Sequence, residues 1–443
     1  MSGGTLVERY ANKRIAWRFK KVSLKADLSQ GLFSSFDIDT GTRLLLHAID
    51  EHVDLRKVRR LADIGCGTGA LGISLLKHLQ DGSCVFQDRD ALAIEFAKSN
   101  CGLNGVEERS RFAGGLGMQE VSGEPFDLVL SNLPAKAGGP VLSRLIIEIS
   151  SRLAPGGTGG VVVILPLVAE IETALSLSGV EVYHREDGRE HRVYLFRRCV
   201  GAGGRGAGAA VGLPGAAGLA AGRQRSGGCA PPEIAAGDYF MDYVRGRSRF
   251  DCAGVSYEID SAYNLPDFDT LGRETALAFE LIDTRLHDDE MQTGRILIWN
   301  PGQGHPAVYL RRRFSSVLPG RFSIASRDAL SLEITRRNIF GPVQVGGGKE
   351  LTLRHLPSLG VFAEHEAGTG AVLSLLFPHP FPGSRWEEEA ALFFEKCVPP
   401  GGFAVASAAS TEIYRLLRAI HGVVLHGSRK YHGSRAVLLR RGV

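Results

Sequence analysis

The residues of this 443-residue chain with the clearest chemical content are Asp63-Ile64-Gly65-Cys66-Gly67-Thr68-Gly69, an acid at a strand end followed by alternating glycines. Side chains in such a turn would block the close approach of a ligand, and glycine alone takes φ > 0 at little cost. The helix that follows presents unpaired N–H groups and the positive end of its dipole. This combination suits a nucleoside cofactor, and two cofactor classes use it, because Gly67-Thr68-Gly69-Ala70-Leu71-Gly72 also spells the dinucleotide fingerprint G-x-G-x-x-G. Asp88, closing the strand Ser83-Cys84-Val85-Phe86-Gln87, is placed to accept hydrogen bonds from two ribose hydroxyls, which both classes require. Asp90 reads as the N-cap of the next helix. The polar loop Ser131-Asn132-Leu133-Pro134-Ala135-Lys136 follows the strand Phe126-Asp127-Leu128-Val129-Leu130, where open α/β sheets place their chemistry.

The elements that position these residues are legible from hydrophobic spacing. Arg60-Leu61-Ala62 ends a short apolar strand, Ala70 to Leu76 has the spacing of a buried helix face, and Ala91 to Asn100 reads as an amphipathic helix. Strands alternating with helices predict an α/β domain with a mostly parallel, twisted sheet and helices on both faces.

At four places, in order, the chain resembles the class I S-adenosylmethionine-dependent methyltransferases, specifically the small-domain group that includes ribosomal RNA guanine-N2 methyltransferases. Phe36-Asp37-Ile38-Asp39-Thr40-Gly41-Thr42-Arg43 is similar to the segment that closes over the cofactor, and Asp63 to Gly69 to motif I. Asp88 falls on the ribose carboxylate, and Ser131-Asn132-Leu133-Pro134 on the N-P-P-[YFW] loop. The resemblance implies S-adenosylmethionine held by Asp63, Gly65, Cys66, Gly67, Gly69, Asp88, Arg89 and Leu116, with Asp63 facing its amino group. It implies catalysis at Asn132 and Pro134, with Asn132 accepting a hydrogen bond from an exocyclic amine and aiming its lone pair at the sulfonium methyl. The acceptor implied is a base in ribosomal or other structured RNA. Two departures stand out: Leu133 replaces the first proline, and Ala135 beside Lys136 replaces the aromatic that stacks on a flipped base. A small-molecule or protein amine, and a non-catalytic RNA-binding factor retaining the pocket, therefore stand as alternatives.

Composition bounds the rest. Seven cysteines form no CxxC pair and no Cys/His cluster with zinc spacing, so no metal is expected. No apolar run reaches the roughly 18 residues of a membrane span, and the first residues lack a signal-peptide core, so a cytoplasmic protein is expected. A net charge of +4 is too mild to demonstrate nucleic-acid binding. Locally, Lys13-Arg14-Ile15-Ala16-Trp17-Arg18-Phe19-Lys20-Lys21 interleaves cations with aromatics. It reads equally as a surface gripping phosphates and stacking bases, or as a solvated face over buried aromatics.

From Gly201 to Ala230 the chain is dominated by Gly and Ala with a few Arg, a composition unable to bury enough surface to fold, and residues 201–235 are expected to be a flexible linker. Beyond it the first half is echoed. Arg327-Asp328-Ala329-Leu330-Ser331-Leu332-Glu333 repeats Arg89-Asp90-Ala91-Leu92-Ala93-Ile94-Glu95, and Arg295 to Pro306 parallels motif I. The expectation is two tandem Rossmann-like domains, a catalytic one over 1–200 and a degenerate one over 236–443. In the second, Asn300 is read at the position of Asp63, Pro306 at Gly69, Ser326 at Asp88 and Leu376 at Asn132.

Overall fold

Two seven-stranded sheets, each preceded by a two-stranded hairpin, make up the computed structural model, which describes residues 5–32, 36–198, 239–341, 351–378 and 386–442. The segment expected as a linker lies outside the described residues. In the first half the hairpin is β1 (Lys13–Phe19) and β2 (Val22–Leu28). The sheet strands are β3 (Arg60–Ile64), β4 (Ser83–Asp88), β5 (Ser110–Gly114), β6 (Phe126–Asn132), β7 (Leu153–Ile164), β8 (Val180–Asp187) and β9 (His191–Arg198). In the second half the hairpin is β10 (Val244–Cys252) and β11 (Val255–Ala262). Its sheet comprises β12 (Arg295–Trp299), β13 (Phe322–Ser326), β14 (Thr352–His355), β15 (Ala371–Leu376), β16 (Phe403–Ala409), β17 (Val423–Tyr431) and β18 (Ser434–Arg441).

The strand orders are β5-β4-β3-β6-β7-β9-β8 and β14-β13-β12-β15-β16-β18-β17, the same path drawn twice, as a tandem duplication requires. Five strands of each sheet are parallel, and the last hairpin inserts antiparallel. Apolar residues feed both faces: Leu61, Leu128 and Leu130 enter one core with the helix Thr40–His52, while Ala62 and Val129 enter another with the helix Gly139–Arg152. A sheet buried on both sides needs such near-continuous apolar strands. Among the described residues no helix is long and apolar enough to cross a membrane.

The halves meet about a pseudo-two-fold axis running through the strongest sequence echo. Ala91 N–H donates to Arg327 O and Ala329 N–H to Arg89 O, both at 2.9 Å, forming an antiparallel bridge between Asp90 and Asp328. Arg327 closes on Asp90 at 2.6 Å, and Arg89 reaches Asp328 at 3.2 Å. Each guanidinium also donates to the backbone of the opposite half, Arg327 to Gly31 O and Arg89 to Asn264 O. This is the reciprocal contact of an isologous interface, here inside one chain.

Strand pairing corrects the register of the echo. Asn300 N–H donates to Ala325 O as Gly65 N–H does to Gln87 O. The helices beginning at His305 and Ala70 are capped by Gly304 (φ 92°) and Gly69 (φ 86°). Asn300 therefore matches Gly65, and the counterpart of Asp63 is Ile298. Pro306 lies one residue inside the helix, not at Gly69. Ser326 does match Asp88, but Asn132 falls on Phe377 rather than Leu376, because Leu130 and Leu375 pair with the equivalent residues Asp63 and Ile298.

Candidate active site

Three left-handed glycines, Gly65 (φ 72°), Gly67 (φ 54°) and Gly69 (φ 86°), turn the chain from β3 into the helix Ala70–Leu76. A Cβ at Gly65 or Gly67 would meet no protein atom within 4 Å, so both face open space and are required by φ, whereas one at Gly69 would press on Ile73 and Ala97. The open side is a narrow cleft lined by Gly65, Cys66, Gly67, Thr68 and Leu71 below, by Ile15, Ala26 and Leu28 of the hairpin, and by Asp37, Asp39, Thr42 and Asn132.

Asp63 sits behind this turn with no exposed surface. One oxygen accepts the Gly72 N–H at 2.8 Å, and Oδ1 is buried with no partner. Burial pushes its pKa up to about 7, with the charge of Asp88 adding to the rise. The folded value lies above the unfolded one, so stability present below the unfolded pKa is lost as pH rises through about 7. Relative to the native chain, Asp63→Asn is expected to gain a few kcal/mol between pH 4.5 and pH 8. Urea unfolding at both pH values checks this, and an equal difference at the two would assign the charge elsewhere.

Asp88, half-buried at the end of β4, accepts Gly67 N–H and Asp90 N–H, both at 2.9 Å, one on each oxygen. Desolvation raises its pKa to about 6. A carboxylate has about four acceptor positions, so each oxygen retains one for a ligand hydroxyl. Cys66 is buried at the cleft floor, and burial pushes its thiol well above the usual range, leaving it neutral.

Asn132 closes β6. Its Nδ2 donates to Asp39 Oδ1 at 2.9 Å and to Thr42 Oγ1 at 3.2 Å. A carboxylate only accepts, so this contact sets which end of the amide is which. The carbonyl Oδ1 is thereby left to accept from a ligand. Asp39 is itself held as the N-cap of the helix Thr40–His52, accepting Thr42 N–H at 2.9 Å and Thr42 Oγ1–H at 2.7 Å. Asp39 and Thr42 belong to the segment read as closing over the cofactor, and the Asp-x-x-Thr spacing before an apolar run is an N-cap signal.

The structure does not bring every expected residue to this cleft. Pro134 is exposed, and its carbonyl closes a turn onto Ala137 N–H. Arg89 is engaged by Asp328 and Asn264 across the junction. Leu116 is buried and lines a different cavity of about 270 Å³, where Gly115 and Glu120 face Phe240, Leu332, Glu333 and His355 of the second half. Trp17 and Phe19 are buried on the inner face of the hairpin, Trp17 donating to Ser74 Oγ at 3.0 Å, so neither is presented to a base.

In the second half bulkier, buried side chains stand at several of the equivalent positions. By strand register Ala26 becomes Ile259, Thr68 becomes Gln303, Ala70 becomes His305, Asp39 becomes Gly272 and Asn132 becomes Phe377. Gln303 bonds both the N–H and the carbonyl of Ala262, tying its hairpin onto the turn.

Comparison with known proteins places this geometry. Residues 24–188 match the model of the methyltransferase small domain. Over 122 residues the chain is 30% identical to ribosomal RNA small subunit methyltransferase C of Haemophilus influenzae, covering 28% of this chain and 35% of that protein. Over 118 residues it is 37% identical to ribosomal protein L11 methyltransferase of Gloeobacter violaceus, covering 27% and 34%. The chain thus spans about a third of the length of these curated relatives. In fold, it superposes on a T. thermophilus 16S rRNA N2 G1207 methyltransferase, solved with AdoMet and guanosine, with a TM-score of 0.62 at 14% identity over 98% of this chain and 99% of that one. The glycine turn and the first sheet's strand order fall with the matched segment: residues 24–188 are similar to the methyltransferase small domain, and the whole chain shares the fold of the T. thermophilus protein.

Proposed function

We propose that this chain is an S-adenosylmethionine-dependent methyltransferase with one competent site, in its first half, acting on an exocyclic amine of a base in ribosomal or other structured RNA. The observation that carries this reading is the Asn132 amide, oriented by Asp39 and Thr42 beside an open glycine turn. The residues fit the cofactor on three counts: the open faces of Gly65 and Gly67, the spare acceptor positions of Asp88, and the orphaned Oδ1 of Asp63 beside the turn. When bound, S-adenosylmethionine supplies an electrophilic methyl on a sulfonium.

The chain's own residues then position. Gly65, Cys66, Gly67 and Gly69 shape the cleft, and Asp88 holds the ribose. Asn132 Oδ1 would accept an N–H of the acceptor amine and so hold its nitrogen lone pair oriented within the cleft. Ile15, Ala26, Leu28 and Leu71 keep that space apolar. Alignment in a dry cleft supplies much of the acceleration for such a displacement. Arg89 and Leu116 act at the junction of the halves, and Pro134 shapes the loop. The second half, 236–443, braces the first across the junction, with 201–235 as the connection. A cytoplasmic location is the one proposed to go with an RNA acceptor of this kind.

Ala135 at the stacking position, and the name of the L11 relative, favour a protein amine as second reading. Transfer of labelled methyl into RNA, protein and small-metabolite fractions separates the two. Label is expected in RNA, and Asp88→Ala is expected to abolish both labelling and calorimetric binding of S-adenosylmethionine. Label in protein alone overturns the RNA reading.

A further inference from the structure

The first hairpin carries cations on its outer face that its duplicate has replaced. Side chains alternate along β1 and β2, so Trp17, Phe19 and Leu24 point inward while Arg18, Lys21 and Lys25 are exposed. Arg14 is neutralised by Asp27, and Lys20 by Asp50, but among the described residues no acid partners the other three. The hairpin registers align through Asp27 and Asp260, whose N–H groups bond Asn100 and Asn338 in the same way. In the second half Arg18 is thereby replaced by Asp251, Lys21 by Gly254 and Lys25 by Glu258. There the outward arginines Arg245, Arg247 and Arg249 face Asp269, Asp260 and Asp251.

The tip of the first hairpin holds these charges against a backbone cost. Lys20 (φ 43°) and Lys21 (φ 67°) both occupy the left-handed region, as a two-residue turn joining twisted strands demands. Gly or Asn fills such positions cheaply, and the second hairpin uses Ala253 and Gly254. Two lysines are a strained choice, of the kind retained where a side chain is used. The inner face of the same hairpin lines the cleft through Ile15, Ala26 and Leu28. At about 3.3 Å per residue, the tip lies roughly 17 Å along the strand from Ile15.

We propose that the outer face and tip of this hairpin, Arg18, Lys21 and Lys25, form a docking surface for the phosphate backbone of the RNA whose base enters the cleft beneath it. The surface rests on the RNA reading of the acceptor. It holds the strand flanking the target through charge, without reading its bases, since the hairpin's aromatics are buried.

The test uses the full chain and a short, mixed-sequence, single-stranded oligoribonucleotide carrying a fluorophore, with binding followed by anisotropy across a potassium chloride series. The triple variant Arg18→Gln, Lys21→Gln, Lys25→Gln is expected to weaken binding at low salt by about tenfold or more. It should also reduce the slope of log K against log salt by about 2, three contacts at about 0.7 each. The matching variant Arg245→Gln, Arg247→Gln, Arg249→Gln should leave the slope unchanged. Lys21→Gly is expected to raise Tm while weakening RNA binding, which a misfolded variant cannot do. An unchanged slope in the first triple variant, an equal fall in the second, or tighter binding of a polyglutamate peptide than of the RNA overturns the proposal. Hairpin-dependent RNA binding without methyl transfer to RNA would overturn the enzymatic reading and leave this surface standing. Methyl transfer to RNA with unchanged slope and KM does the reverse.

Discussion

Asn132→Ala is expected to lower kcat for methyl transfer about 10²-fold while leaving calorimetric binding of S-adenosylmethionine within about twofold of the native value. The side chain lines the cleft wall, and the part proposed for it is to orient the acceptor. Removing it leaves Gly65, Gly67 and Asp88 in place. Asp39→Ala should reproduce part of the loss in kcat, because the Asn132 amide then loses its anchor at 2.9 Å. It should also cost about 1 kcal/mol of stability, since Asp39 caps the helix Thr40–His52. Single-turnover rates with labelled cofactor, beside urea unfolding, measure both. A full rate for Asn132→Ala would remove this residue from the mechanism, and a stability loss in Asp39→Ala without any rate loss would confine Asp39 to capping.

Arg327→Ala is expected to produce the largest loss of stability at the junction, about 3 kcal/mol, the lower end of what breaking a buried ion pair costs. Its side chain is 2% exposed, and the guanidinium engages both oxygens of Asp90, at 3.1 and 2.6 Å, as well as Gly31 O at 2.9 Å. Asp90 is 20% exposed, so water recovers part of the penalty once the partner is gone. The pseudo-symmetric Arg89→Ala should cost clearly less, about 1 kcal/mol, because Arg89 is 29% exposed and meets Asp328 at 3.2 Å. Denaturant titration of the two variants measures the difference. Equal losses would mean that burial is not what separates the two halves of this reciprocal contact.

The duplication was legible, but its register was not. Matching residue identities set Asn300 against Asp63 and Leu376 against Asn132, since an amide resembles an acid and one apolar residue resembles the next. Backbone pairing decides otherwise: Asn300 takes the left-handed conformation of Gly65, and Phe377 follows Leu376 into the place of Asn132. Arg89 shows the same limit. A basic residue beside a ribose carboxylate reads as a cofactor contact, yet the identical Arg-Asp pair in the second half turns both arginines to the junction. The strongest echo in the chain marks the surface where the two halves touch, because an isologous contact asks the same residues of both.

By itself the sequence determined the alternation of strands and helices, the glycine turn at Asp63 to Gly69, the acid at Asp88, and the presence of a second, altered half. Each is a local signal, written in periodicity, in the φ that glycine alone tolerates, or in residues a few positions apart. The tertiary structure alone decided which way Asn132 presents its amide, because its partner Asp39 lies 93 residues away. It also decided that Trp17 and Phe19 are core while Arg18, Lys21 and Lys25 face water, and that Asp63 is buried with an orphaned oxygen. Burial and hydrogen bonding between distant segments set what a side chain can do, and neither is encoded in its immediate neighbours.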